Sequence, residues 1–118
     1  SYQCLRDFRM IKAIFYQKDG ITFGFSVTGH AGYDESGKDI VCAGVSALVI
    51  NTINSLETFT DDNIISRIEE EGMTKVKIKG IVSPESELLL KSLRLGLCKI
   101  YEEYGDDYIT VFFREVKS

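Results

Sequence analysis

The sequence is poor in residues that would let metal ions or disulfides determine its structure. Its 118 residues contain one histidine and three cysteines, Cys4, Cys42 and Cys98, with no CxxC pair among them. Structural zinc needs paired ligands at short spacing, and a disulfide framework needs an even set of cysteines, so neither is expected. Free thiols are typical of a reducing compartment. The sequence predicts no metal and no other cofactor.

Positive charge is also scarce. Fourteen Lys and Arg residues face eighteen Asp and Glu residues, which leaves a net charge of −4. Nucleic-acid binding rests on clustered cations, so the balance predicts no direct contact with nucleic acid and favours a basic protein or peptide as partner. No signal peptide is recognisable, and the apolar segment from Ile40 to Ile53 is too short to span a bilayer. A soluble cytoplasmic protein without a membrane partner is expected.

The remaining composition is that of a single globular domain. Hydrophobic residues make up 44% of the chain and there is one proline, which suits a core that needs no covalent staple. Met10 followed by Ile11, Lys12 and Ala13 resembles a native start. Residues 1–9 are therefore predicted to be a vector-derived remnant or a disordered arm, and residues 10–118 a single domain.

The hydrophobic pattern predicts the element order ββαββαβ. Alternating residues after Met10 and again over Ile21 to Thr28 indicate a hairpin, with Ile21, Phe23, Phe25 and Val27 on one face of its second strand. Two further strands are expected between residues 64 and 80. Asp39 is a plausible N-cap for a helix that runs to about Thr58, and Ser83-Pro84-Glu85 is a strong start for a second helix. The second helix is expected to run to about Tyr104, with Gly105 as its C-terminal cap. Its apolar stripe is predicted to consist of Leu89, Leu93, Leu97, Ile100 and Tyr104. This order predicts an α+β fold, a mostly antiparallel sheet packed with two helices.

One stretch, Gly29 to Ser46, carries the candidate chemistry. His30 follows the end of a strand, and Cys42 is expected in the first helical turn, where partial positive charge favours a thiolate and free N–H groups can bind an oxyanion. Cysteine with histidine suffices for covalent acyl transfer. A lone buried cysteine is more often packing, however, and a histidine at a strand end is more often a surface residue.

The neighbouring polar residues have two interpretations each. Asp39 is either the helix cap or the residue that orients the His30 ring, and the cap is favoured. Ser46, one turn after Cys42, can bond within the site or to a backbone carbonyl. The loop from Gly32 to Lys38 satisfies GxxxxGK, but Asp39 stands where a P-loop needs Ser or Thr, which argues against nucleotide binding.

The runs Gly29-His30-Ala31 and Asp39-Ile40-Val41-Cys42-Ala43, followed by Val45-Ser46, resemble the signature of the ribosomal-processing cysteine proteases, the Prp family. The resemblance implies a Cys42–His30 catalytic dyad, with Asp39, Ser46, Gly29 and Ala43 in support. It also implies a homodimer that removes the N-terminal extension of a large-subunit ribosomal protein. The alternative from another class is a non-catalytic ribosome-associated module that binds protein and keeps Cys42 as packing.

Overall fold

Five strands form one sheet, and two helices pack against it. The computed structural model describes residues 10–29, 36–69 and 73–117, without the side chains of 36–39 and 69; residues 1–9 lie outside this description. The elements confirm the predicted order ββαββαβ, and they are β1 (Ile11–Lys18), β2 (Ile21–Thr28), α1 (Ser36–Phe59), β3 (Asn63–Glu69), β4 (Met73–Lys79), α2 (Pro84–Tyr104) and β5 (Ile109–Glu115).

The sheet is mostly antiparallel, as predicted. Its strand order is β3-β4-β2-β1-β5, and only β1 and β5 run parallel among the described strands. A parallel pair needs a crossover between its strands, and here the chain between β1 and β5 supplies both helices and the other three strands. The arrangement leaves β3 and β5 as the edges and places β2, which leads into the candidate site, at the centre.

A bulge in the first hairpin changes which residues of β2 share a face. Tyr16 pairs with Gly24 and Gln17 with Thr22, so that Phe23 has no partner on β1. The prediction that Ile21 and Phe23 share one face with Phe25 and Val27 is therefore wrong, because the extra residue shifts the alternation by one. Ile21 is exposed and Phe23 packs on the Tyr16 ring with centroids 6.3 Å apart.

The core lies between the helices and one face of the sheet. The strands contribute fully buried residues at alternate positions, and α1 contributes residues at helical spacing, as its sequence periodicity predicted. The core members with no more than 2% exposure are Ile11, Ala13, Phe15, Phe25, Val27, Val41, Val45, Val49, Leu56, Val76, Leu90, Leu93, Leu97 and Ile109.

Helix α1 begins earlier than its sequence indicated. Asp39 was predicted to be the N-cap, but the helix starts at Ser36 and Asp39 lies inside its first turn. The prediction is wrong because Ser36, Gly37 and Lys38 extend the helix by almost one turn instead of belonging to the preceding loop. A helical residue cannot serve as the cap, whose own backbone must be non-helical.

The apolar part of α1 is also longer than predicted. Residues Ile40–Phe59 are long and apolar enough to cross a membrane by length and composition, and 33% of the most apolar window is buried in the domain. A core helix passes the same test. Here Val41, Val45 and Val49 pack into the core between α2 and the sheet, which accounts for much of the apolar character.

Helix α2 begins and ends where the sequence predicted. Ser83 is the N-cap and its Oγ accepts a hydrogen bond from the N–H of Ser86, while Gly105 with φ 89° ends the helix. Its buried stripe differs by one position. Leu90 is fully buried, whereas Leu89 is half-buried and Tyr104 is 40% exposed, because the stripe turns slightly to face both α1 and β5.

Candidate active site

The carbonyl end of β2 is fixed by Gly29, one of the residues predicted to support the site. Gly29 is buried and has φ 84°, and a Cβ placed on it would lie 2.6 Å from the carbonyl oxygen of Met10. A side chain here would suffer both the left-handed backbone conformation and a clash with the residue that leads into β1. Glycine is therefore required for β2 to end at this position against the start of β1.

Cys42 faces this strand end from α1. Its side chain is 6% exposed, and its Sγ donates a hydrogen bond of 3.9 Å to the carbonyl oxygen of Gly29. The sulfur thus joins two elements that are separated by thirteen residues in sequence. Because Gly29 directly precedes His30, the thiol lies against the peptide group that leads into the predicted base.

The other predicted site residues have different positions. Ala43 is exposed on α1, and Ser46 is half-buried one turn after Cys42. His30 lies outside the described residues, and so does the side chain of Asp39. The structure therefore brings together Gly29 and Cys42, while the roles of His30 and Asp39 stay predictions.

One expectation about Cys42 is wrong. The sequence placed it in the first turn of α1, but it is the seventh residue of the helix that begins at Ser36. The unbonded N–H groups of a helix are those of its first four residues, so the N–H of Cys42 is within the regular hydrogen-bond ladder. The earlier start also takes the thiol out of the turn where the helix dipole is strongest.

Sequence reasoning missed Met10 as part of this framework. Its backbone oxygen is the atom that closes off the Cβ position of Gly29. No side-chain pattern signals a backbone contact of this kind. The only hint in the sequence is the glycine itself, placed directly after an alternating strand.

Cys98, the other described cysteine, lies away from this arrangement. It is half-buried on α2, where it lines a depression along β5 with Tyr101, Phe112 and Phe113. This position fits the predicted packing role. Across residues 10–29, 36–69 and 73–117, no three His, Cys, Asp or Glu side chains are grouped so that they could hold a metal ion.

Comparison with known families decides the class of this site. The sequence profile of the family described as cysteine protease Prp matches residues 10–110, which include both the GHA run and Cys42. The chain belongs to the Prp family. It is therefore a cysteine peptidase, and the resemblance found in the signature residues is confirmed over most of the domain.

Two curated Prp proteins show the same relationship. The ribosomal processing cysteine protease Prp of Staphylococcus aureus is 31% identical over 80 residues, which are 67% of this chain and 76% of the relative. The Bacillus subtilis protein of the same name is 30% identical over 88 residues, covering 70% of this chain and 79% of the relative.

Solved structures share the Prp fold with this chain. A Streptococcus mutans protein superposes with a TM-score of 0.83 at 31% identity, covering 91% of this chain and 96% of the other. The S. aureus protease Prp in complex with a substrate peptide gives a TM-score of 0.80 at 26% identity, with coverage of 89% and 100%. The same protease with a covalently linked product peptide gives 0.79 at 27% identity, again covering 89% and 100%.

Proposed function

We propose that this chain is a cysteine endopeptidase that removes the N-terminal extension of a large-subunit ribosomal protein, with Cys42 as nucleophile and His30 as base. The observation that carries the proposal is the contact of 3.9 Å between Cys42 Sγ and the carbonyl oxygen of Gly29, the residue before His30. The S. aureus relative has been solved with a covalently linked product peptide, which supports covalent chemistry within the family.

The reaction follows from the groups at the strand end. The thiol in its resting form donates to the Gly29 carbonyl, so its proton must pass to His30 before the sulfur can attack. A bond then forms between Sγ and the scissile carbonyl carbon, and His30 returns the proton to the leaving amine as the C–N bond breaks. Water hydrolyses the thioester and regenerates the thiol.

The oxyanion donors are assigned to the first turn of α1 rather than to Cys42 itself. The N–H groups of residues 36–39 have no acceptor within the helix, and they precede the thiol by about one turn, or roughly 5.4 Å. In this proposal Asp39 orients the His30 ring and Ser46 bonds within the site. The reaction needs no metal, cofactor, nucleic acid or membrane.

The test is cleavage of a ribosomal protein that carries its N-terminal extension. Cys42→Ala and His30→Ala should each lower cleavage roughly a thousandfold or more, while both variants keep the unfolding midpoint of the parent within a few degrees. Cys98→Ala is the matched control, because it removes a half-buried thiol on the other helix and should leave cleavage unchanged. Cleavage that survives in either dyad variant contradicts the assignment.

The burial of Cys42 favours a second candidate, the non-catalytic ribosome-associated binding module. A thiol that is 6% exposed within the core cluster is what simple packing would also produce. Alkylation by iodoacetamide separates the two, with the double variant Cys4→Ala, Cys98→Ala as background so that Cys42 is the one remaining thiol. Reaction that persists well below pH 8.5 supports the peptidase, whereas reaction only above about that value supports the module.

The proposal includes a homodimer in the cytoplasm. Strand β5 is an edge of the sheet, and Phe113 on it and Leu88 and Leu95 on α2 are each at least half exposed. Uncovered apolar edges favour association. Among the described residues neither Cys42 nor Cys98 is in a disulfide, which fits a reducing compartment. Leu95→Glu should convert the dimer to monomer in light scattering, whereas Ile65→Glu on the other edge strand, β3, should not.

A further inference from the structure

The sheet surface opposite the helices concentrates positive charge. We call it the open face and define it by alternate residues of the strands, since no described element packs on it. Strand register and alternation place seven of the fourteen Lys and Arg residues there: Lys12, Lys18, Arg67, Lys75, Lys77, Lys79 and Arg114. Among the described residues, Lys12, Lys75, Lys77, Lys79 and Arg114 have no ion-pair partner. The only carboxylate on β5, that of Glu115, projects to the other side because Glu115 pairs with Gln17, which faces α2.

The net charge of the chain does not reveal that cations are concentrated on the open face. A total of −4 averages over the whole surface, and it predicted no contact with nucleic acid. Two of the described acidic residues lie on strands, Glu69 at the end of β3, where register places it on the open face opposite Met73, and Glu115 on β5. The others lie on the helices and in the loops, such as Glu57, Glu102 and Asp106. Charge is therefore separated by face, and a polyanion approaching the open face meets cations from β1, β4 and β5 together.

Aromatic rings lie among these cations. Tyr16 is 8% exposed, because the ammonium of Lys75 lies 5.4 Å and the guanidinium of Arg114 5.9 Å from its ring centroid. Phe112, two residues before Arg114 on the same strand, is 48% exposed, and no described cation lies over its ring. Phe112 also borders a shallow depression of about 320 Å³ that Lys12, Ile14 and Arg114 complete.

The spacing suits an extended chain of phosphates and bases. Lys75, Lys77 and Lys79 alternate along β4 and so stand about 6.6 Å apart, while Phe112 offers a flat ring two strands beyond β2, at the far edge. Cations that follow a backbone, together with a ring on which a base can stack, are how open sheets bind single-stranded nucleic acid. A purely acidic protein partner would use the cations but not the exposed ring.

We propose that the open face binds single-stranded RNA, with Lys75, Lys77 and Lys79 contacting phosphates and Phe112 stacking on a base. RNA rather than DNA is the single-stranded polyanion abundant in the cytoplasm, where the proposed function operates. The site is separate from the peptidase site, since Cys42 lies on the helix side of the sheet. A failed test of RNA binding would therefore leave the proposed peptidase activity unaffected, and the reverse also holds.

The experiment is fluorescence anisotropy with a labelled 12-nucleotide oligouridine, titrated with the full chain at several salt concentrations. The parent protein should saturate at about 50 mM salt and weaken steeply as salt rises. The double variant Lys77→Gln, Lys79→Gln should flatten the slope of log K against log salt by about 1.4, the value for two lost phosphate contacts on a single strand. Phe112→Ala should weaken binding about tenfold.

The matched control is the double variant Lys91→Gln, Lys99→Gln, which makes the same change in charge on α2. It should leave the slope and affinity unchanged, and all variants should keep the parent's peptide cleavage and oligomeric state. Absence of saturable binding by the parent would overturn the proposal, as would equal weakening by the control. So would a poly-glutamate peptide that competes as well as RNA, tenfold preference for oligodeoxyuridine, or a Phe112→Ala variant that binds normally.

Discussion

The N-termini of the two helices differ in how they are held. Helix α2 begins at a cap made from side chains: Ser83 Oγ accepts from the Ser86 N–H, and Asp62 Oδ2, from the residue before β3, accepts from the Ser83 N–H at 2.9 Å and from its hydroxyl at 2.8 Å. Helix α1 has a described fixed point at its seventh residue, Cys42, whose partner is a backbone carbonyl at the end of β2. Polar side chains therefore hold the first turn of α2, whereas the backbone of a strand contacts α1 one turn further into the helix.

The N-terminus of α2 is therefore structural, whereas the proposed reaction gives the N-terminus of α1 a catalytic role. At α2 the capping side chains are already engaged within the domain, since Ser83 donates hydrogen bonds to Asp62. At α1 the first-turn N–H groups have no acceptor within the helix, and the proposed reaction assigns them to the oxyanion. Substitutions at three places test this difference between the two helices.

The largest effect is expected where α1 meets β2. Gly29→Ala should destabilise the domain by about 3 kcal/mol or more, because it adds a left-handed alanine and a contact of 2.6 Å with the Met10 carbonyl. It should also lower peptide cleavage by moving the carbonyl that Cys42 contacts. Urea unfolding and peptidase rate measure the two effects.

Gly20→Ala is the control for the Gly29 prediction. Gly20 has φ 80°, close to that of Gly29, but nothing lies within 4 Å of the added Cβ. It should cost only about 1 kcal/mol and leave cleavage unchanged. Equal costs at the two positions would show that backbone conformation alone, and not the contact with Met10, determines the requirement for glycine.

A smaller effect is expected at the start of α2. Burial acts to raise the pKa of Asp62, but the neighbouring Ser86 side chain and the hydrogen bonds from the Ser83 backbone and side chain outweigh it, so the pKa of this carboxyl lies below its ordinary 3.8. Because the pKa is lowered in the folded state, the carboxylate stabilises the fold at pH values above the ordinary pKa. This contribution is lost as the pH falls through the folded-state pKa.

Asp62→Asn should therefore cost about 1 kcal/mol at pH 7, and the difference from the parent should shrink as the pH falls below about 4. Urea unfolding at pH 7 and pH 3 measures it, with the exposed Asp61→Asn as control. A cost that stays constant over this range would mean that the carboxylate charge contributes nothing to the cap. Cleavage at pH 7 should stay normal, since the cap lies on the structural helix.

The smallest effect is expected in the seam between the helices. Gly44→Ala should stabilise the domain by about 0.5 to 1 kcal/mol, because alanine favours helix and its Cβ would lie 3.7 Å from Ile100 Cδ1, an ordinary contact. Gly96→Ala has the same gain in propensity, but its Cβ would lie 2.8 Å from Leu48 Cδ1. Gly96→Ala should give no net gain in stability, because the Leu48 side chain must move to make room for the added Cβ.

Thermal unfolding of the two glycine variants isolates the packing of α1 on α2. If Gly96→Ala stabilises as much as Gly44→Ala, then Leu48 has room to shift and the seam is loose. The same outcome would weaken the view that α1 is held in place by tertiary contacts, since α2 is its main neighbour.

Local patterns account for most of the fold. The two-residue alternation in β1 and β4, the serine, proline and acids before α2, and the glycine after it each act over a few residues, so the sequence displays them directly. The family signature, a contiguous motif, also identified the candidates Cys42, His30, Asp39 and Ser46. Errors arose at the bulge that displaces Phe23, which depends on how β1 pairs with β2, and at the start of α1, where Ser36, Gly37 and Lys38 join the helix instead of the loop.

The sequence by itself determined the order of elements, the apolar sides of the helices and the membership of the Prp family, because these depend on local periodicity and on a contiguous motif. Tertiary structure alone decided that Cys42 meets the carbonyl of Gly29, that Gly29 must be glycine against Met10, and that seven cationic residues share one open face. Each of these depends on strand register or helix docking. Residues far apart in sequence acquire a common surface only when the sheet and helices pack.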